Sequence, residues 1–226
     1  MTPAEKQTEE ERARYLAEQI GGALVIILGL RSHDRQVEWD AGRGRFRIGG
    51  RLVTIAAVRK VLDRLETQVG IRMAALAKDL EAGRIGLDDW TRRMKDLVGS
   101  AHYLNAALAN GSIGTAVGAP AVIRRVDREL KYLEGFAGDL KKKPKSSQSV
   151  TARATSYLLA AAATYAVVEQ TVRKAIGFTE CRRILRARES CSDCQAIAYE
   201  WMPIEKSPPI GSLACGSRCR CYLEYR

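Results

Sequence analysis

The chain has 226 residues, 46% of them hydrophobic and 6% aromatic, with a formal net charge of +11 and an isoelectric point near 9.6. That apolar fraction excludes a disordered chain, and few aromatics beside abundant alanine and leucine favour helices over a β-sandwich. The positive excess points to a polyanionic neighbour: nucleic acid first, with an acidic protein surface or a membrane behind it.

Residues 1–30 open with Thr2-Pro3, a helix start, and an acidic first turn that suits the helix dipole. Leu16, Ile20, Leu24 and Ile27 continue a helical stripe, weakened by Gly21-Gly22. This segment reads as an N-terminal arm that docks on another subunit, or as an ordinary packed helix. Its apolar run, Ala23 to Leu30, is less than half the ~20 residues that span a bilayer. Glu9, Glu10 and Glu11 ahead of it make a poor signal peptide. The chain is therefore expected to stay among reduced thiols, where clustered cysteines hold metal more often than disulfides.

Residues 31–53 carry two short alternating strands around the Gly-rich turn Gly42-Arg43-Gly44, a basic β-hairpin. Arg43, Arg45, Arg47 and Arg51 are expected to line one exposed face, either to touch DNA or acidic protein or simply as a solvated edge. A helical bundle is expected over residues 54–177. Thr54 is a candidate N-cap, followed by Ile55, Val58, Leu62, Leu65, Val69, Met73, Leu76 and Leu80 on one face up to Gly83. After Gly86 a second stripe runs through Leu87, Trp90, Met94, Leu97, Ala101, Leu104 and Leu108, and so short a connection sets the two helices antiparallel. His102 beside that stripe reads as a packing or surface residue rather than a ligand.

The glycine-rich stretch 111–120 lacks the Lys-Ser/Thr ending of a phosphate loop. A third helix carries Ile123, Val126, Leu130, Leu133, Ala137 and Leu140 in phase, and the lysines and proline of residues 141–148 read as an exposed hinge. A fourth helix is expected from about Ser149 to Gly177, with an alanine-rich middle that lets a neighbour approach closely, and Arg173 and Lys174 complementing its C-terminal dipole. From Phe178 the helical period stops. Arg182–Ala187 and Cys219–Tyr225 suit paired strands around a proline-rich segment.

Five of the six cysteines lie in the last 36 residues: C-S-D-C at Cys191 and Cys194, then C-G-S-R-C-R-C at Cys215, Cys219 and Cys221. Two thiol groups separated by a 20-residue insert look like halves of a tetrathiolate zinc site, with Cys191, Cys194 and Cys221 joined by Cys219 or Cys215. One of the five is surplus, and Cys181 lies outside. So small a segment has little core, so a staple is physically expected. With no histidine in the region the zinc reads as structural, one per chain. An iron–sulfur cluster takes the same ligands, and two disulfides are the alternative in an oxidising setting. No βαβ context supports a thioredoxin-like role, and no acid–base pair or nucleophile constellation indicates catalysis. The fold class is thus mainly α: an antiparallel helical bundle with a small N-terminal β-hairpin and a C-terminal cysteine-rich, zinc-stapled α+β subdomain at residues 178–226.

The block E-S-C-S-D-C-Q-A-I-A, then W-M-P-I, P-P-I-G-S and C-G-S-R-C-R-C-Y-L-E-Y-R, resembles the end of tailed-bacteriophage minor head proteins, the head morphogenesis family. Cys191, Cys194, Cys219 and Cys221 match the family's C-x-x-C and C-R-C, while Cys215 is additional and Pro209-Ile210-Gly211-Ser212 stands where the family has P-x-x-H-P-N. R-A-x-x-Y-x-x-A-A at Arg153 to Ala161, G-R-F at Gly44 to Phe46, R-M-A-A-L at Arg72 to Leu76 and Y-L-x-G-F at Tyr132 to Phe136 extend the resemblance over residues 35–226. It implies a virion component, made in the host cytoplasm, that acts in head assembly or DNA packaging. The implied partners are portal or major capsid protein, in multiple copies, and packaged DNA through non-specific phosphate contact; no membrane is implied. The competing function is a zinc-dependent DNA-binding regulator, against which stands the lack of a recognition helix after the cysteines.

Overall fold

The computed structural model describes residues 37–48, 50–110, 120–142, 149–216 and 219–226. The expected N-terminal arm (1–30), nearly all of the glycine-rich loop (111–119) and most of the lysine hinge (143–148) lie outside the described residues. The described chain is mainly helical, with two small antiparallel sheets.

The first sheet has strands β1 (Val37–Asp40), β2 (Arg45–Ile48) and β3 (Arg51–Leu52) in the order β1-β2-β3, so the expected hairpin gains a third strand. Asp40 closes its turn, accepting from the Arg43 backbone N–H at 3.0 Å and from Arg47 Nε at 2.8 Å. The four hairpin arginines do not share one face. Arg47 lies opposite Leu52 and Arg51 opposite Ile48, so they alternate across the pleat. Arg43 and Arg47 both spend their charge on Asp40, whose carboxyl is held below the usual range chiefly by Arg47.

Four long helices follow: α1 (Ile55–Glu81), α2 (Leu87–Asn110), α3 (Pro120–Lys142) and α4 (Val150–Ala175). Thr54 and Ser149 cap α1 and α4, their hydroxyls accepting from the N–H of Ala57 and Ala152. Gly83 takes a left-handed φ of 68° to leave α1, a conformation glycine adopts without a Cβ penalty. Val58, Val61 and Leu62 at the start of α1 join Leu104 and Leu108 near the end of α2. Met73 and Ala77 further along α1 meet Trp90 and Met94 at the start of α2. The two helices therefore run antiparallel. Phe46 and Val53 bind the first sheet to the same core.

The largest helix interface joins α2 to α4, where Ala154, Ala160, Ala161 and Ala163 are buried as the alanine-rich middle suggests. A Cβ on Gly70 of α1 would lie 3.1 Å from Leu158 Cδ2 of α4. Trp90, fully enclosed, packs edge-to-face on Phe136 of α3 at 6.2 Å; burying such a side chain contributes about 2–3 kcal/mol. On α3 the expected Val126, Leu133, Ala137 and Leu140 are buried, and only the first position differs, with Val122 buried and Ile123 38% exposed.

Beyond α4 come β4 (Glu180–Ile184), the short helix α5 (Ser192–Ala196), β5 (Met202–Pro203), a single 3₁₀ turn (Ile204–Lys206) and β6 (Tyr222–Tyr225). The sheet order is β5-β4-β6, antiparallel throughout. β4 begins and ends earlier than Arg182–Ala187, and β6 begins at Tyr222 rather than Cys219, because Cys219 and Cys221 are drawn into the thiol cluster instead of a ladder. Gln170 of α4 donates to the carbonyls of Ile204 and Ser207, seating this segment on the helices. Among the described residues no helix is long and apolar enough to cross a membrane.

Candidate metal centre

Cys191 is the N-cap position of α5 and Cys194 sits in its first turn, so one turn of helix sets the C-x-x-C pair. The loop after the 3₁₀ turn brings back Cys215, Cys219 and Cys221, and Asp193 Oδ2 accepts from the Ala214 N–H at 3.1 Å, tying that loop to α5. The five sulfurs fall into two triangles that share Cys194: Cys191–Cys194–Cys215 and Cys194–Cys219–Cys221, each within 4.8 Å. All five candidate ligands are thus brought together. Cys181 is not; it lies buried on β4, where burial pushes its thiol up.

Cys194 Sγ stands 3.6 Å from Cys215 Sγ and 3.8 Å from Cys219 Sγ. A disulfide needs about 2.05 Å. Zinc–sulfur bonds of about 2.3 Å in a tetrahedron set neighbouring sulfurs about 3.8 Å apart, so these spacings fit thiolates around a metal. The thiols respond unequally to the crowding. Burial, with its neighbours adding to it, drives Cys194 strongly up, and Cys215 is pushed up to about 12 by desolvation first. Cys191 is lowered to about 7, chiefly by the N–H of Cys194.

Arg183 was invisible to the cysteine spacing. Only 1% exposed, it reaches Cys194 Sγ at 3.6 Å and Cys219 Sγ at 3.8 Å through Nη1, and donates to the Pro208 carbonyl through Nη2. A buried guanidinium is costly without negative charge nearby. The sulfurs of Cys194 and Cys219, ionised on binding a metal, would supply that charge, and Arg183 would offset theirs. The only legible signal was alternation: Cys181 and Arg183 share the inward face of β4. Opposite α5, Tyr199 adopts φ 66° while its N–H bonds the Arg183 carbonyl at 2.8 Å. That left-handed turn costs about 1 kcal/mol and aims the chain back along β4.

Between the cysteines and the helices lies a cleft of about 100 Å³ lined by Asp63, Glu66, Glu169, Arg186 and Arg220 among others. Arg220, between two cluster cysteines, meets Glu66 of α1 at 3.4 Å, and Arg186 meets Asp63 at 3.1 Å. Burial raises the Glu66 carboxyl despite Arg220. His102 is remote from all this: enclosed in the helices, its Nδ1 lies 2.7 Å from Thr164 Oγ1, and desolvation lowers it to about 4.

No family model matches this chain, and neither curated proteins nor solved structures offer a match. The site's chemistry therefore rests on its own geometry: a thiol cluster able to hold a metal ion, with no carboxylate or histidine in either triangle.

Proposed function

We propose that this protein is a non-enzymatic structural component of a tailed-phage head, a minor head or portal-proximal protein whose C-terminal subdomain is stapled by one structural zinc. The observation that carries it is the convergence of four C-terminal cysteine sulfurs within 4.8 Å of Cys194, Cys215 at 3.6 Å and Cys219 at 3.8 Å, within the motifs that resemble the head morphogenesis family. Four thiolates from among Cys191, Cys194, Cys215, Cys219 and Cys221 would hold the ion. It would supply cross-linking rather than reaction chemistry, because an all-thiolate tetrahedron leaves no open position. The helices form the scaffold, and the stapled end, joined to α1 through Arg186–Asp63 and Arg220–Glu66, presents a rigid contact to portal or coat protein. Exposed cations such as Arg51, Arg64 and Arg124 suit non-specific contact with packaged DNA.

The test has two parts. Metal analysis of purified protein is expected to find about one zinc per chain, and pull-down against portal and coat proteins is expected to retain one of them. A zinc-loaded protein that binds neither, yet selects a duplex sequence at physiological salt, would establish the regulator instead, and a protein without zinc would sink the staple.

A further inference from the structure

We infer that Cys191 and Cys215 share the fourth ligand position, so that the metal-loaded protein always presents one unligated thiol from this pair, a site for exchange with small disulfides. This rests on the one-zinc reading above. Zinc takes four thiolates in a tetrahedron whose sulfurs are all mutual neighbours. Among the described residues only triangles of sulfurs meet the 4.8 Å limit, and both have Cys194 at a corner. One triangle must therefore supply three ligands and the other a fourth that swings in.

The two triangles are not equivalent. Cys194 and Cys221 are buried, and Arg183 bonds the sulfurs of Cys194 and Cys219. Cys219 is half-buried, so it is the charge compensation by Arg183 that marks this set as the permanent seat. Cys191 and Cys215 are half-buried, and neither receives a hydrogen bond from Arg183 among the bonds it makes. Both lie beside Cys194, Cys191 at the cap of a five-residue helix and Cys215 in the turn before Gly216. One vacancy faces two sulfurs, both within 4.8 Å of Cys194.

A ligated sulfur has its lone pair committed to the metal, whereas the sulfur left out is an accessible thiol. Its thiolate attacks one sulfur of a small disulfide RSSR. A protein–S–SR bond forms, the S–S bond breaks, and RS⁻ leaves with the electron pair. The zinc stays divalent, and the unmodified partner takes the fourth position. Zinc is released only when both outer sulfurs are consumed.

The experiment treats the zinc-loaded full chain with 5,5′-dithiobis(2-nitrobenzoate), following released thiolate, bound zinc and the labelled peptides together. Expected is a fast phase of one equivalent per chain divided between Cys191 and Cys215, with zinc retained, and then zinc loss with the second equivalent. Cys191→Ser and Cys215→Ser each keep one zinc and lose the fast phase; Cys194→Ser loses the zinc. Absence of zinc from the wild-type chain would overturn the one-zinc reading itself. One zinc with the fast label confined to a single cysteine, with no fast label, or with zinc lost from either outer serine variant would overturn the exchange alone.

Discussion

The helical part and the C-terminal segment solve the same problem with different chemistry. The four helices bury Trp90, Met73, Met94, Leu133 and Tyr157 almost completely, and that burial is the chief force holding them together. The C-terminal cluster has Ile204, Ile210 and Leu223 as its buried aliphatic residues; Cys181, Cys194 and Cys221 complete it. Its centre also holds a charged guanidinium, which a hydrophobic core of that size would not tolerate. One region is closed by area; the other, on the proposed zinc reading, would be closed by ligation, and the two should then fail independently.

Metal removal is the sharpest way to separate them. Structural zinc binding in zinc-finger peptides is worth about 10–16 kcal/mol, more than the whole stability of a typical domain. Chelation, or Cys194→Ser, is expected to open residues after Phe178 to protease while the helices keep their far-ultraviolet circular dichroism. Loss of both signals together would mean that the regions form one cooperative unit. Next in size, Trp90→Ala is expected to cost about 3–5 kcal/mol, shifting the helical unfolding midpoint without changing metal content. If that variant also sheds metal, the helices and the thiol cluster are coupled more tightly than their chemistry suggests.

How far the sequence reached follows the same division. Helix positions were legible because period and caps are local: Thr54, Ser149 and Gly83 act where expected. The five clustered cysteines were legible because their spacing is chemistry in itself. Arg183 and Arg173 were not. Arg183 reads as one more surface arginine in a basic strand until the fold turns it onto two sulfurs. Arg173 reads as a dipole partner at the end of α4, yet it is buried, meets Glu169 at 3.7 Å and lies over Phe178 and Tyr225. Alternation on β4 puts Arg183 on the face of buried Cys181, but nothing local marks a charge as one that the fold will bury. The shared face expected of the hairpin arginines failed for a related reason: register against β3, not composition, decides which side each one takes.

A smaller effect comes from His102, which titrates only through the helical region. Its folded pKa of about 4 lies below the ordinary 6.5 of histidine because burial disfavours the charged form, with Arg125 and Arg128 adding to it. The unfolded chain therefore takes up the proton first as pH falls. The stability held above pH about 6.5 is lost progressively down to about 4, to a limit of about 3 kcal/mol at about 1.4 kcal/mol per unit. Carboxylates titrate in the same window, so the measurement is the difference in urea midpoint between wild type and His102→Gln at pH 7 and pH 4.5. A difference that does not change with pH would show that the imidazole is not held neutral.

The smallest effect tests the joint between the regions. Arg173 Nη1 donates to the Arg43 carbonyl at 2.6 Å, so one side chain on α4 ties the first sheet to the aromatic ring of Tyr225 on β6. Gly44 makes room for it: its φ is 55°, and an added Cβ would sit 2.6 Å from Arg173 Nη1 and 2.8 Å from Ile176 Cδ1. Gly44→Ala combines left-handed strain of about 1–2 kcal/mol with displacement of the buried Arg173 guanidinium. It is expected to lower the thermal midpoint by several degrees and to speed proteolysis at both the first sheet and the C-terminal strand. Arg173 touches both, whereas a cost confined to the turn would loosen the first sheet alone. Cleavage restricted to residues 37–52 would mean that the two ends of the chain share a neighbour but not a mechanical link.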